Sequence, residues 1–221
     1  MCSILGYYKL NNKPIHKDFV QTAFDLMRHR GPDHEQFIEI DERVGFGHQR
    51  LAIIDLDIQA NQPMRQGLHY IIFNGEIYNY IELKEEFRRK NHNEYFKTTS
   101  DTEVLLKGLI HEGVQFLNRC NGMFAFAFYN TENEELILAR DRFGVKPLHY
   151  MIQDGILYFS SEIKPLIKIK NTLEGNPKIY DSFIRDLATD YDEDTFVKGI
   201  YQLKKGSYLV CDGNNCDVKQ W

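Results

Sequence analysis

The chain begins Met1-Cys2-Ser3-Ile4-Leu5-Gly6-Tyr7-Tyr8, and the reading of that stretch decides the rest. Residues 2 to 8 read as a β-strand starting at the terminus itself, where chains ordinarily fray. Such a strand would hold Cys2 rigidly. The cysteine side chain is small enough for methionine aminopeptidase to remove Met1, which would leave a free α-amine one carbon from the thiol-bearing carbon. An α-amine titrates near ~7.7 to 8.0 and a thiol near ~8.5, so the amine can act as the general base that a lone cysteine lacks. The plainer reading, a buried or incidental cysteine, stands beside this one.

Outward from that strand, Phe19, Val20, Ala23, Phe24 and Met27 recur at helical spacing, and the helix should end before Gly31-Pro32. Strands are expected at 36–40, 44–54 and 69–74, and helices near 80–90 and 101–112. Ser100 and Glu103 have the spacing of a capping box, which places Asp101 in the first helical turn. Phe124-Ala125-Phe126-Ala127-Phe128 alternates aromatic and small residues as a strand buried on both faces would, and 135–140, 147–151 and 156–160 extend the sheet. A charged stretch from about 170 to 200 carries a short helix around Ile179 to Leu187. Residues 206–211 and 216–221 then form a closing hairpin. The pattern implies a β-rich sandwich flanked by helices.

Composition narrows the function. The chain of 221 residues carries 27 Lys plus Arg against 32 Asp plus Glu, a net charge of -5, with no basic stripe to track a phosphate backbone, so nucleic acid is excluded as a partner. The run from Lys84 to Lys90 mixes both signs around Phe87 and reads as the solvated face of an amphipathic helix. The N-terminus lacks a basic leader, and nowhere do about 18 apolar residues run together. A soluble cytoplasmic protein without a membrane span is expected. Cys2, Cys120, Cys211 and Cys216 are scattered, without a zinc or Cys-x-x-Cys pattern, so a reduced chain is the simplest reading. The acids Asp190, Asp192 and Asp194 resemble the start of a calcium loop, but Thr195 stands where that loop needs Gly and Tyr201 where it needs Glu. No metal site is expected.

Three further segments carry chemistry. Asn74-Gly75 lies between the apolar runs Tyr70-Ile71-Ile72 and Ile77-Tyr78. This pair is a hairpin-turn signal; alternatively the Asn74 amide and the Gly75 N–H donate to an oxyanion developing on a substrate. Arg50 falls in a strand-like apolar segment and needs an anion, supplied by an internal salt bridge or by a substrate carboxylate. Asp101 is either a helix-terminus acid or the acceptor of an ammonium group. Together a thiolate, an oxyanion pocket, a cation and an acid describe a site for an α-amino acid with a carbonyl on its side chain. Glutamine fits.

Met1-Cys2-Ser3-Ile4, Arg28-His29-Arg30-Gly31-Pro32-Asp33, Gly47-His48-Gln49-Arg50-Leu51-Ala52-Ile53-Ile54-Asp55, Asn74-Gly75-Glu76-Ile77-Tyr78-Asn79, Ser100-Asp101-Thr102-Glu103, Asn121-Gly122-Met123-Phe124 and Arg140-Asp141-Arg142-Phe143-Gly144 resemble the glutaminase half of glutamine-hydrolysing asparagine synthetases. The likeness is dense over residues 1 to 168. It implies a class II glutamine amidotransferase core at 1–169 and a C-terminal extension at 170–221. The implied fold is α+β, the N-terminal-nucleophile hydrolase fold, a four-layer α/β/β/α sandwich of two mainly antiparallel sheets. By the same resemblance Cys2 is nucleophile and, through its amine, base; Asn74 and Gly75 form the oxyanion hole; Arg50, with backbone near Ile53, holds the glutamine carboxylate; Glu76 and Asp101 bind its α-amino group; and Arg30 supports the Cys2 turn.

In such enzymes an ATP-pyrophosphatase-type synthetase domain follows, with a Ser-Gly-Gly-x-Asp-Ser loop, and this sequence carries no such loop before Trp221. ATP and Mg are therefore expected on that partner domain or subunit, and no cofactor here; a homodimer is compatible with the family. The expected function is hydrolysis of glutamine, supplying ammonia for ATP-dependent amidation of aspartate to asparagine. The alternatives are a regulatory glutamine-binding module that does not turn over, and an amidotransferase for a non-aspartate acceptor.

Overall fold

A computed structural model describes residues 1–221 apart from 16, 91–94, 188–192 and 214. Its elements are, in chain order, β1 (Ser3–Lys9), α1 (Lys17–Asp25), β2 (His34–Glu39), β3 (Val44–Arg50), β4 (Met64–Gln66), β5 (His69–Ile77), α2 (Tyr80–Lys90), α3 (Asp101–Glu112), β6 (Gly122–Asn130), β7 (Glu135–Arg140), β8 (His149–Gln153), β9 (Ile156–Ser160), α4 (Ile163–Lys170), α5 (Pro177–Asp186), β10 (Tyr201–Gln202), β11 (Ser207–Asp212) and β12 (Asn215–Gln220). The strands form two six-stranded antiparallel sheets, in the orders β10-β8-β9-β1-β3-β2 and β12-β11-β7-β6-β5-β4.

The alternation in β6 sets the layers. Phe124, Phe126 and Phe128 pack with Leu83 and Phe87 of α2 and with Val104, Leu105 and Leu109 of α3, whereas Ala125, Ala127 and Tyr129 face Ile4, Tyr8, Val44 and Phe46 of the other sheet. Side chains alternate across a strand, so one short sequence serves two cores. Fully burying each large apolar side chain is worth roughly 1.5–3 kcal/mol. β1 does the same in the facing sheet: Leu5 and Tyr7 point outward onto Val20, Ala23 and Phe24 of α1 and Leu166 and Ile169 of α4. The result is the α, β, β, α order.

The strand expected at 44–54 stops at Arg50. Its guanidinium gathers the carbonyls of Ile54, Asp55 and Asp57, which wraps the following loop around it instead of leaving it in the ladder. Asn74-Gly75 is no turn: it sits inside β5, with Asn74 opposite Ala125 and Gly75 opposite Phe124. The capping box is half formed. Ser100 accepts from Thr102 N–H, but the Glu103 carboxylate reaches past Ser100 to the Lys97 and Thr98 N–H groups. Helix α4 was not expected from the sequence.

The expectation of a wholly reduced chain is also corrected. The β11–β12 hairpin places Cys211 opposite Cys216, and the two are disulfide-bonded; Cys2 and Cys120 are free. Among the described residues no helix is long and apolar enough to cross a membrane, and no cluster of His, Cys, Asp and Glu could hold a metal. Asp190 and Asp192 lie outside the described residues.

Candidate active site

Cys2, Arg50, Ile53, Asn74, Gly75, Glu76 and Asp101 line one cavity of about 220 Å³. Of the site residues expected from the sequence, Arg30 alone stands behind that wall, where its Nε donates to the Cys2 carbonyl at 3.1 Å and its Nη1 meets Glu162 at 3.1 Å. Residues more than 90 positions apart meet here because the start of β1, the end of β3 and the free edge of β5 abut.

The Cys2 sulfur accepts from Leu51 N–H at 3.4 Å and lies 3.6 Å from the Leu51 carbonyl. The loop holding Leu51 is pinned in turn: the Asp33 carboxylate accepts from Ala52 N–H at 2.8 Å, and Asp33 N–H donates to the Arg50 carbonyl. Gly31 makes this approach possible, since a Cβ there would lie 2.2 Å from the Gln49 carbonyl carbon. Burial pushes the Cys2 thiol above its ordinary range, against the opposing pull of the Leu51 hydrogen bond, the terminal ammonium, Arg50 and Lys146.

Donors converge on the same cavity from β5. Phe124 turns both its N–H and its C=O toward Asp141 on the β7 side, so Gly75 opposite it is a non-hydrogen-bonded pair and directs its own N–H away from β6. On that edge the N–H of Phe73 is taken by Gln62 Oε1 at 2.6 Å and the N–H of Ile77 by Asp101 Oδ2 at 2.9 Å. Gly75 lies between these two capped positions and on the cavity wall. Beside it the Asn74 Nδ2 is buried with no hydrogen-bond partner. A buried amide donor without an acceptor costs about 1–3 kcal/mol, which a substrate oxyanion would return. Gly75 tolerates no side chain, since a Cβ would stand 2.3 Å from the Met123 carbonyl oxygen.

Arg50, only 6% exposed, makes its hydrogen bonds to carbonyls and to Asn61 Oδ1 at 2.6 Å, not to any carboxylate. The internal salt bridge is therefore absent among the described residues. At the acidic end, burial lifts the Asp101 carboxyl to about 6, against the Ile77 and Thr102 N–H groups, with Glu76 adding to the rise.

Four residues of this site escaped the sequence reading. Gln62 and His48 clamp the two sides of the Phe73 peptide, His48 through Nε2 at 3.1 Å to its carbonyl; burial lowers this histidine to about 3, so it is neutral. Glu162 holds Arg30. Lys146 lines the cavity, and the Arg140-Asp141 motif explains its placement. The Asp141 carboxylate accepts from the N–H groups of Phe124, Phe143, Val145 and Lys146. The Arg140 guanidinium takes the carbonyls of Gly144, Lys146 and Leu203. The motif was visible in the sequence; that it serves Lys146 was not.

With this geometry in view, the chain belongs to the glutamine amidotransferase domain family, whose model it matches over residues 1–221. Within that family it is similar to asparagine synthetase [glutamine-hydrolyzing] 1 of Bacillus subtilis, 40% identical over 181 residues, 79% of this chain and 28% of that protein. It is also similar to an amidase, chry2, of Gibberella zeae, 35% identical over 203 residues, 88% of this chain and 28% of that one. The chain thus spans about 28% of the length of these relatives. In fold it matches the glutamine phosphoribosylpyrophosphate amidotransferase of Bacillus subtilis with a TM-score of 0.73 at 17% identity, covering 99% of this chain and 49% of that one. The fold is that of the N-terminal-nucleophile amidotransferases, as the resemblance implied.

Proposed function

We propose that the chain hydrolyses glutamine to glutamate and ammonia with Cys2 as nucleophile after removal of Met1. The thiol proton passes to the Cys2 α-amine as sulfur bonds to the side-chain carbonyl carbon. The oxyanion is received by Asn74 Nδ2 and Gly75 N–H. The C–N bond breaks, ammonia leaves with the proton returned by the amine, and water hydrolyses the thioester to glutamate. Arg50, with backbone near Ile53, holds the α-carboxylate, Glu76 and Asp101 hold the α-ammonium, and Arg30 orients the Cys2 peptide.

The observation that carries this reading is the unpartnered Asn74 amide on a cavity shared with the Cys2 sulfur. The raised Cys2 thiol makes a resident thiolate unfavourable, so a base adjacent to sulfur is what the chemistry requires. We further propose that the ammonia passes, shielded from water, to a cytoplasmic synthetase domain or subunit that binds ATP and Mg and amidates aspartate. Similarity to an amidase favours a second reading, in which the acceptor is another carboxylate.

The test is release of glutamate and ammonia from glutamine, with Cys2→Ala as blank and intact mass to locate the N-terminus. Turnover by a protein that retains Met1 would rule out the amine as base. No turnover by a processed protein that binds glutamine would favour a sensing module.

A further inference from the structure

Lys146 lines the cavity with Cys2 at 6% exposure, and its ammonium has no hydrogen-bond or ion-pair partner among the described residues. Its side chain is buried while its ammonium opens onto the cavity, where an anion formed during the working cycle would meet it. Its position is not incidental. Asp141 and Arg140 between them bind most of the backbone of residues 143–146, and Gly144 turns the loop at a φ of 69°.

The cavity wall carries two cations, Arg50 and Lys146, and two acids, Glu76 and Asp101, and Lys146 is paired with neither acid. Under the glutaminase reading, on which this inference rests, the substrate brings a carboxylate for Arg50 and an ammonium for Glu76 and Asp101. Cys2 is the group on the same wall that becomes negative during the reaction. We propose that Lys146 supplies the counter-charge to the Cys2 thiolate, both on attack and when sulfur is expelled from the thioester. The other groups facing Cys2 are Leu51 N–H at the sulfur, Arg30 at its carbonyl, Arg50, Glu76 and Asp101 on the cavity wall, and the Cys2 α-amine that removal of Met1 would expose. None of the cations among them is spare: the amine shuttles protons, Arg50 is committed to the carboxylate and Arg30 to Glu162.

The experiment is alkylation of Cys2 by iodoacetamide across the neutral and alkaline range, mapped by peptide mass. Cys120, which burial pushes up to about 12, is the internal reference. Lys146→Met should raise the midpoint of Cys2 alkylation by about one to two pH units, the effect of losing one nearby opposite charge. It should also lower kcat/KM for glutamine about tenfold at neutral pH, the deficit closing as pH rises. Lys146→Arg should stay near wild type. Lys146→Gln, read beside Lys146→Met, keeps the test valid if the apolar variant does not fold. A wild-type midpoint in the neutral variants, or a loss in Lys146→Arg equal to theirs, overturns the proposal. A wild-type protein whose alkylation responds to Lys146 yet does not hydrolyse glutamine sinks the glutaminase reading instead and leaves the counter-charge standing.

Discussion

Arg30 donates from Nε to the Cys2 carbonyl at 3.1 Å while the same guanidinium, through Nη1, meets Glu162 at 3.1 Å. Cys2 precedes the first residue of β1, and this chain of contacts holds its carbonyl. Burial works to raise the Glu162 carboxyl, but hydrogen bonds and charges from Arg30 and His29 hold it below the usual carboxylate range. The clamp is ionic at neutral pH.

Arg30→Met should therefore lower kcat for glutamine by about 10²-fold, the scale of loss when a reacting group is misplaced by ~1 Å. KM should barely change, because Arg30 is not on the cavity wall. Glu162→Gln should act in the same direction and more weakly. Steady-state kinetics decide it: a rise in KM at constant kcat would make Arg30 a substrate-binding residue instead.

Asn74→Ala and Gly75→Ala should fail for different reasons. Truncating Asn74 removes a donor that has no protein partner, so kcat should fall about 10²- to 10³-fold with little change in thermal unfolding. A methyl at Gly75 meets the Met123 carbonyl and the Phe124 Cα, both backbone, so β5 and β6 must part at a cost of roughly 1–3 kcal/mol. Melting curves and kinetics measured together separate the two; an Asn74→Ala protein with full activity would remove the oxyanion role.

The contrast between Asn74 and Lys146 shows what a sequence can disclose. Asn74-Gly75 read as a turn or as a pair of donors, and the register against β6 removes the turn, because whether a pair turns or extends depends on a partner strand some 50 residues away. The alternation of Phe and Ala in β6 was legible, since a period of two has one structural meaning. So was the start of α3 at Ser100. Lys146 was not, because burial without a partner is a property of the folded surroundings. Cys211 and Cys216 were misread for the same reason: five positions apart they form no motif, and the hairpin turn makes them neighbours.

That disulfide gives a third prediction. It closes a short loop, so the chain-entropy model assigns it about 2 kcal/mol, and it lies at the far side of its sheet, with β7 and β6 between β11 and β5. Reductant should lower the unfolding midpoint by several degrees and raise the titratable thiols from the two of Cys2 and Cys120 to four in the unfolded protein. Glutamine turnover should be unchanged. A loss of turnover on reduction would mean that the hairpin communicates with β5.

The last prediction concerns Asp101, whose buried carboxyl stands at about 6 in the folded protein against ~3.9 unfolded. Below both values it is protonated in either state and pH costs nothing. As pH rises through the interval the unfolded chain ionises first, so stability falls, and above about 6 the full cost of roughly 3 kcal/mol is present. Asp101→Asn keeps an acceptor for the Ile77 N–H and loses the charge, so it should flatten that pH dependence and raise stability at neutral pH by about 1–3 kcal/mol. Under the proposed glutaminase function the effect on turnover runs the other way, because the ionised form would meet the substrate ammonium. KM for glutamine in the wild type should climb about tenfold for each pH unit below about 6, whereas Asp101→Asn should show a high KM with no such dependence. Urea unfolding and KM measured over the same pH series test both halves. A wild-type KM that stays flat through this range would detach Asp101 from substrate binding and leave it as the acid that caps the start of α3.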